Sequence, residues 1–146
     1  MEAMNLLSRH FIAVLWLLSP GTGLGADAKV ELAGRIFDVH TAVTPKEWSR
    51  GLQHRAHMAA NEGMLFIYPK AHRLSFWMKD TLLPLDILFF DSDGALINVY
   101  HDVQPCRSQP CPIYPSGGPA QYVLEFNAGT AAALRVKPGD NFTIIP

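Results

Sequence analysis

Leu85-Asp86-Ile87-Leu88-Phe89-Phe90-Asp91-Ser92-Asp93-Gly94-Ala95-Leu96-Ile97-Asn98-Val99-Tyr100 is the stretch that decides the fold class. Two apolar runs of strand length flank Asp-Ser-Asp-Gly. Short polar side chains there bond their own backbone, and glycine admits a positive φ. The reading is a β-hairpin that folds Leu85–Phe90 back onto Ala95–Tyr100.

On the N-terminal side, Leu74–Lys79 reads as a strand, and Met64-Leu65-Phe66-Ile67-Tyr68 is an apolar run stopped by Pro69. Ile36–Val43 alternates, with Phe37, Val39, Thr41 and Val43 on one face. Thr44-Pro45-Lys46-Glu47 is a capping box with proline at the first helical position. The helix it opens is short because Gly51 follows, and it sets Trp48 and Leu52 four apart on one face.

On the C-terminal side, His101–Pro119 is rich in proline and reads as an ordered loop. Ser116-Gly117-Gly118-Pro119 is its flexible tip. Gln121–Phe126 follows as a strand, Thr130–Leu134 as a brief helix, and Lys137-Pro138-Gly139-Asp140 turns the chain into Asn141–Ile145. The expected class is mainly β, of α+β type: a small antiparallel, barrel-like sheet with two short helices.

The first residues have a different character. Arg9 and His10 precede the apolar run Phe11–Leu18, Ser19-Pro20-Gly21 breaks it, and Ala26-Asp27-Ala28 supplies small residues for a signal peptidase. The alternative, a short buried core helix, explains neither the charge nor the breaker. The run is short of the ~20 residues that span a bilayer, and no cysteine follows it to carry a lipid anchor. The expected organisation is a signal peptide over 1–28 and one domain over 29–146. The protein is then periplasmic or secreted, with no stable membrane span after cleavage.

Export bears on Cys106 and Cys111, the only cysteines of the chain. An even pair in an oxidising compartment reads as a disulfide. A metal site there has only His101 and Asp102 to complete it, and the spacing is not that of Cys-x-x-Cys redox motifs. So short a loop is stabilised by about 2 kcal/mol, which suits local fixing of the proline-rich segment.

Across 146 residues, 49% are hydrophobic, 17% are charged and the net charge is −1. That composition suits a globular chain, and it provides no basic face for nucleic acid, so none is expected as a partner. There is no Gly-x-Ser-x-Gly elbow and no phosphate-cradling loop, and no cofactor is expected. His54 and His57, followed by Met58 and Glu62, resemble the start of a metal site, but spacing of three without further ligands reads as ordinary surface histidines.

The candidate site residues are charges set in apolar surroundings. Asp86 stands between Leu85 and Ile87, and Lys79 closes Ser75-Phe76-Trp77-Met78-Lys79. A buried charge needs a partner. Arg50, Glu62, Lys79 and Asp86 beside Trp77 would make a polar pocket with an aromatic platform, of the kind that holds small ligands. The same residues also fit an ion pair pinning helix to sheet. For Asp86, strand alternation allows a solvent-facing position with Leu88 and Phe90.

Glu47-x-x-Arg50-Gly51-Leu52-Gln53-x-Arg55, Glu62-Gly63-Met64-Leu65-Phe66, Ser75-Phe76-Trp77-Met78-Lys79-Asp80-Thr81, Pro84-Leu85-Asp86-Ile87, Tyr122-Val123-Leu124-Glu125 and Gly139-Asp140 follow in an order that resembles the family called domain of unknown function 192. The resemblance implies a small, mostly β, barrel-like domain, commonly exported in bacteria, with no established activity. Gln53 stands where many relatives carry Met, and Asp80 where Asn is usual. The Cys-Pro loop resembles that of other exported members, which supports the disulfide.

Two functions are expected to compete. One is a non-enzymatic binding or accessory domain acting on an unknown small ligand or envelope component. The other is a hydrolase or lyase acting on envelope glycans through Glu62 and Asp86, which needs the two carboxyls about 5–10 Å apart across an open cleft. A structural protein that uses the Cys106–Cys111 loop as its contact surface is a third reading.

Overall fold

A computed structural model describes residues 26–146. The proposed leader falls outside the described residues except for its last three positions. The elements are β1 (Ala28–Leu32), β2 (Arg35–Ala42), α1 (Pro45–Arg50), β3 (Glu62–Phe76), β4 (Leu85–Phe90), β5 (Leu96–Val103), β6 (Tyr114–Asn127), α2 (Thr130–Leu134) and β7 (Phe142–Ile145). The fold is mainly β with two short helices, as expected.

All seven strands join one sheet in the order β5-β4-β6-β3-β2-β1-β7. The expectation of an antiparallel barrel needs two corrections. β2 and β3 pair in parallel, Asp38 against Glu62 through Ala42 against Phe66. A parallel pair requires a crossover, and the segment carrying α1 provides it. The sheet is also not closed: edge strands β5 and β7 meet only at a bridge beside their ends, between Ala95 and Asn141.

The capping box forms in full. Thr44 Oγ1 accepts from the Glu47 N–H at 3.3 Å, and Glu47 Oε2 accepts from the Thr44 and Val43 N–H groups at 2.9 and 2.8 Å. The Val43 bond, then those with Thr44, hold the Glu47 carboxyl below its usual range. Gly51 ends the helix at φ 47°, ψ −136°, a region essentially reserved for glycine.

Pro69 does not stop the third strand, and Leu74–Phe76 is its continuation rather than a separate element. The ladder with β6 shifts register between Ile67 and His72 and again between Arg73 and Ser75. Irregular pairing is where a strand tolerates proline, whose missing N–H leaves no bond unmade. The same irregularity draws Tyr114–Gly118 into β6, so this part of the anticipated loop is strand. Ser116 is buried, accepting from Leu74 N–H at 3.0 Å and donating to Gly118 O at 2.6 Å.

Alternation along the central strands builds two cores, one on each face of the sheet. Phe66, Tyr68, Leu85, Ile87, Phe89 and Val123 belong to one; Leu65, Leu88, Phe90, Leu124, Phe126 and Phe37 belong to the other. Gly63 permits the second to close, since a Cβ there would lie 2.7 Å from the Phe126 ring. Among the described residues, no helix is long and apolar enough to cross a membrane.

Candidate functional site

On the first face, side chains from α1, β3 and β6 enclose a cavity of about 330 Å³. Each wall has a local cause. The capping box fixes α1, whose last turn presents Ser49 and Arg50. Trp48, on the same helix, donates its indole N–H to Ala42 O at 2.9 Å and to Ile67 O at 3.2 Å, and its ring stacks on Tyr68 at 4.5 Å. Phe66 and Phe76 meet edge to face at 5.0 Å beneath.

The Trp77–Thr81 segment forms the opposite rim. It is held from two sides: Met78 O accepts from the Cys106 N–H at 3.2 Å, and Asp80 O accepts from the His54 N–H at 2.8 Å. Asp80 adopts φ 54°, which Asn and Asp tolerate better than most side chains. Cys106 and Cys111 are joined, sulfur to sulfur at 2.11 Å. The disulfide loop therefore abuts the rim through the Cys106–Met78 bond.

The rim is cationic. Trp77 is 48% exposed, and Lys79 Nζ lies 5.4 Å from its ring centroid. The ion pairs among the described residues are Lys29–Asp38, Arg55–Glu62 and Lys137–Asp140. Neither Arg50 nor Lys79 belongs to one.

At the base lies Glu125, which the sequence reading passed over. Alternation in β6 sets it on the face of Val123, between Met64 of β3 and Ile87 of β4. It is 4% exposed and lines the cavity. Burial alone pushes its carboxyl up to about 8, with no hydrogen bond or neighbouring charge contributing. Tyr68 is pushed up to about 12, by burial first and then by the Glu125 charge. A strongly displaced carboxyl in a cleft is a mark of functional sites. The signal was present in the sequence as one acid inside Tyr122-Val123-Leu124-Glu125-Phe126.

Of the five anticipated site residues, Arg50, Trp77 and Lys79 line the cavity, whereas Glu62 and Asp86 do not. Glu62 is held by Arg55 at 2.7 Å and by the Ala59 N–H at 3.1 Å. Asp86 does share a face with Leu88 and Phe90, but that face is buried, and its exposure is zero. It accepts from the Asp102 N–H at 2.9 Å and the Ala131 N–H at 2.7 Å, which fixes β5 and α2 to the second face. With Asp86 wholly buried and both its oxygens holding backbone N–H groups, the glycan-cleaving arrangement on Glu62 and Asp86 does not form. His54 and His57 are exposed, and the described residues hold no cluster of three or more metal-ligating side chains.

The family profile described as DUF192, Uncharacterized ACR, matches residues 28–144. No curated protein matches the chain. Among solved structures, a protein of unknown function from Novosphingobium aromaticivorans DSM 12444 is 34% identical with a TM-score of 0.73, the match covering 79% of this chain and 83% of that one. A protein from Sinorhizobium meliloti 1021, described as a candidate transcription regulator, is 39% identical with a TM-score of 0.74, over 80% of this chain and 92% of its own.

Proposed function

We propose, from the premise that the chain belongs to the uncharacterised domain of unknown function 192 family, that it is an exported, non-enzymatic binding domain for a small organic anion. One observation carries this reading: Arg50 and Lys79, which pair with no acid among the described residues, border an aromatic cavity with a buried acid at its base. Cations gathered without counter-charges favour an anionic occupant. At about 330 Å³ the cavity is at the small end of ligand pockets. The description of the Sinorhizobium protein as a regulator is not carried over, because a net charge of −1 gives no excess of cations for a phosphate backbone.

Binding is tested by calorimetry on the purified protein with small organic anions, their neutral analogues and small amines. Anions are expected to bind and amines not to. Arg50→Ala is expected to weaken binding roughly tenfold to a hundredfold, the worth of a charge-assisted hydrogen bond. Because Arg50 is exposed and unpaired, stability is expected to change by less than about 0.5 kcal/mol. Amines binding more tightly than anions overturn the reading.

Export rests on the leader pattern, and Asp27 bears on where the leader would be cut. Its N–H bonds Val39 O at 2.9 Å, and its carboxyl accepts the Thr41 N–H at 3.0 Å. Cleavage after Ala26 keeps those bonds. Mass spectrometry of the protein recovered outside the cytoplasm is expected to find Asp27 first. A chain that still begins with Met1 there removes the export reading.

A further inference from the structure

Glu125 narrows the ligand class. The residue is 4% exposed, its carboxyl opens onto the cavity, and it takes no hydrogen bond from the described residues, so an occupant has to complement it. We propose that the ligand is a carboxylate bearing a ring, packed against the aromatic wall of the cavity and hydrogen-bonded at its carboxylate by the protonated side chain of Glu125. This rests on the anion reading above and deepens it.

Three features select a carboxylate over a phosphate. First, a neutral carboxyl has one O–H to donate, and a carboxylate oxygen is a strong acceptor for it. Second, phosphate groups favour convergent backbone N–H donors. Here α1 presents its last turn to the cavity, and its first-turn N–H of Glu47 is already bonded to Thr44. Third, a phosphate brings close to two charges at neutral pH into a cavity whose base is an acid.

The ring follows from the walls. Trp48 lies stacked on Tyr68, and Trp77 is half exposed at the rim. Flat aromatic surfaces bury large area and favour offset or edge packing with another ring. Ser49, Gln53, Ser75 and Thr81 add hydroxyl and amide groups, so an aromatic acid and a sugar acid both fit. Their shared chemistry is the carboxylate and the ring face.

Binding then depends on the Glu125 proton. Tyr68 from β3 is the titratable group coupled to it; Arg50 from α1 and Lys79 from the segment after β3 share the cavity lining without contributing to its titration, and β4 presents Leu85, Ile87 and Phe89 on that face. Tyr68, displaced to about 12, keeps its proton throughout. With Glu125 at about 8 in the free protein, the binding-competent form is nearly complete at pH 6.5 and about one-tenth at pH 9.

Calorimetry with glucuronate, benzoate, glucose and inorganic phosphate at pH 6.5 and 9 tests this. Glucuronate or benzoate is expected to bind at pH 6.5 and to weaken about tenfold at pH 9, and which of the two binds more tightly identifies the ring. Runs in two buffers of different ionisation enthalpy are expected to show about 0.9 proton taken up per ligand at pH 9 and almost none at pH 6.5. In Glu125→Gln, affinity is expected to be equal at the two pH values. Phosphate or glucose binding as tightly as the carboxylates overturns the proposal, and so does wild-type carboxylate affinity that is equal at both pH values. Tight phosphate binding, or carboxylate affinity equal at both pH values, leaves the cationic rim in place as an anion site, whereas glucose binding as tightly as the carboxylates removes the anion reading as well. No binding of any anion, phosphate included, removes both readings.

Discussion

Replacing Glu125 with glutamine is expected to stabilise the protein by several kcal/mol at pH 9 and by almost nothing at pH 4. The folded carboxyl sits at about 8 against an ordinary value of 4.5. Between those values the native state holds a proton that the unfolded chain has released, so stability falls as pH rises. The stability is fully present below about 4.5, is lost progressively up to about 8, and the whole loss is about 5 kcal/mol as an order of magnitude. Glutamine has nearly the same shape and no charge to desolvate, so it escapes the loss. Urea unfolding of wild type and Glu125→Gln at pH 4 and pH 9 measures it. Equal stability of the two proteins at pH 9 would mean that Glu125 is solvated, not buried at the base of a cavity. A residue that weakens its own fold at neutral pH and above is what a site retained for ligand binding looks like.

Asp86→Ala carries the other large effect, in the opposite direction. Removing this carboxyl orphans two buried N–H donors, those of Asp102 and Ala131, and leaves a void on the second face. Each orphaned donor costs about 1–3 kcal/mol, so a total loss of about 4 kcal/mol is expected at neutral pH. Asp86→Asn keeps an oxygen acceptor for one of the two and is expected to lose about half as much. In the Asn variant, amide exchange is expected to accelerate at whichever of Asp102 and Ala131 faces the new NH2 group. Ligand affinity is expected to remain that of wild type, because the cavity is on the other face of the sheet. Loss of binding by a folded Asp86→Asn protein would return Asp86 to the site.

These two acids show what the sequence could and could not reveal. Each stands in an apolar strand, and each therefore signals a buried charge that needs an explanation. Pattern alone ranks Asp86 and Glu125 alike. What separates them is the face each occupies and what lies over it: α2 and the end of β5 above Asp86, a cavity above Glu125. That information resides in the pairing of β6 with β3, which joins residues about sixty apart, and with β4, which joins residues about forty apart.

Local signals were read more securely. The Asp91–Gly94 turn, the Thr44–Glu47 capping box and α2 act within a few residues, and the structure has them where the sequence places them. β1 was not anticipated, although Val30 and Leu32 alternate inward; its five residues are ordered by β2 and β7 on either side. Continuation of β3 through Pro69 and of β6 back to Tyr114 depends on two register shifts, which propensity does not encode. Arg50, Trp77 and Lys79 were legible because a capped helix and an apolar run ending in a cation are both local features.

Carbon-detected NMR titration of the Glu125 side-chain carboxyl in the ligand-free protein decides whether the cavity is floored by a neutral acid. A midpoint near 8 is expected, which marks a neutral acid at the base of the cavity at physiological pH. A midpoint near the ordinary value of 4.5 would contradict it.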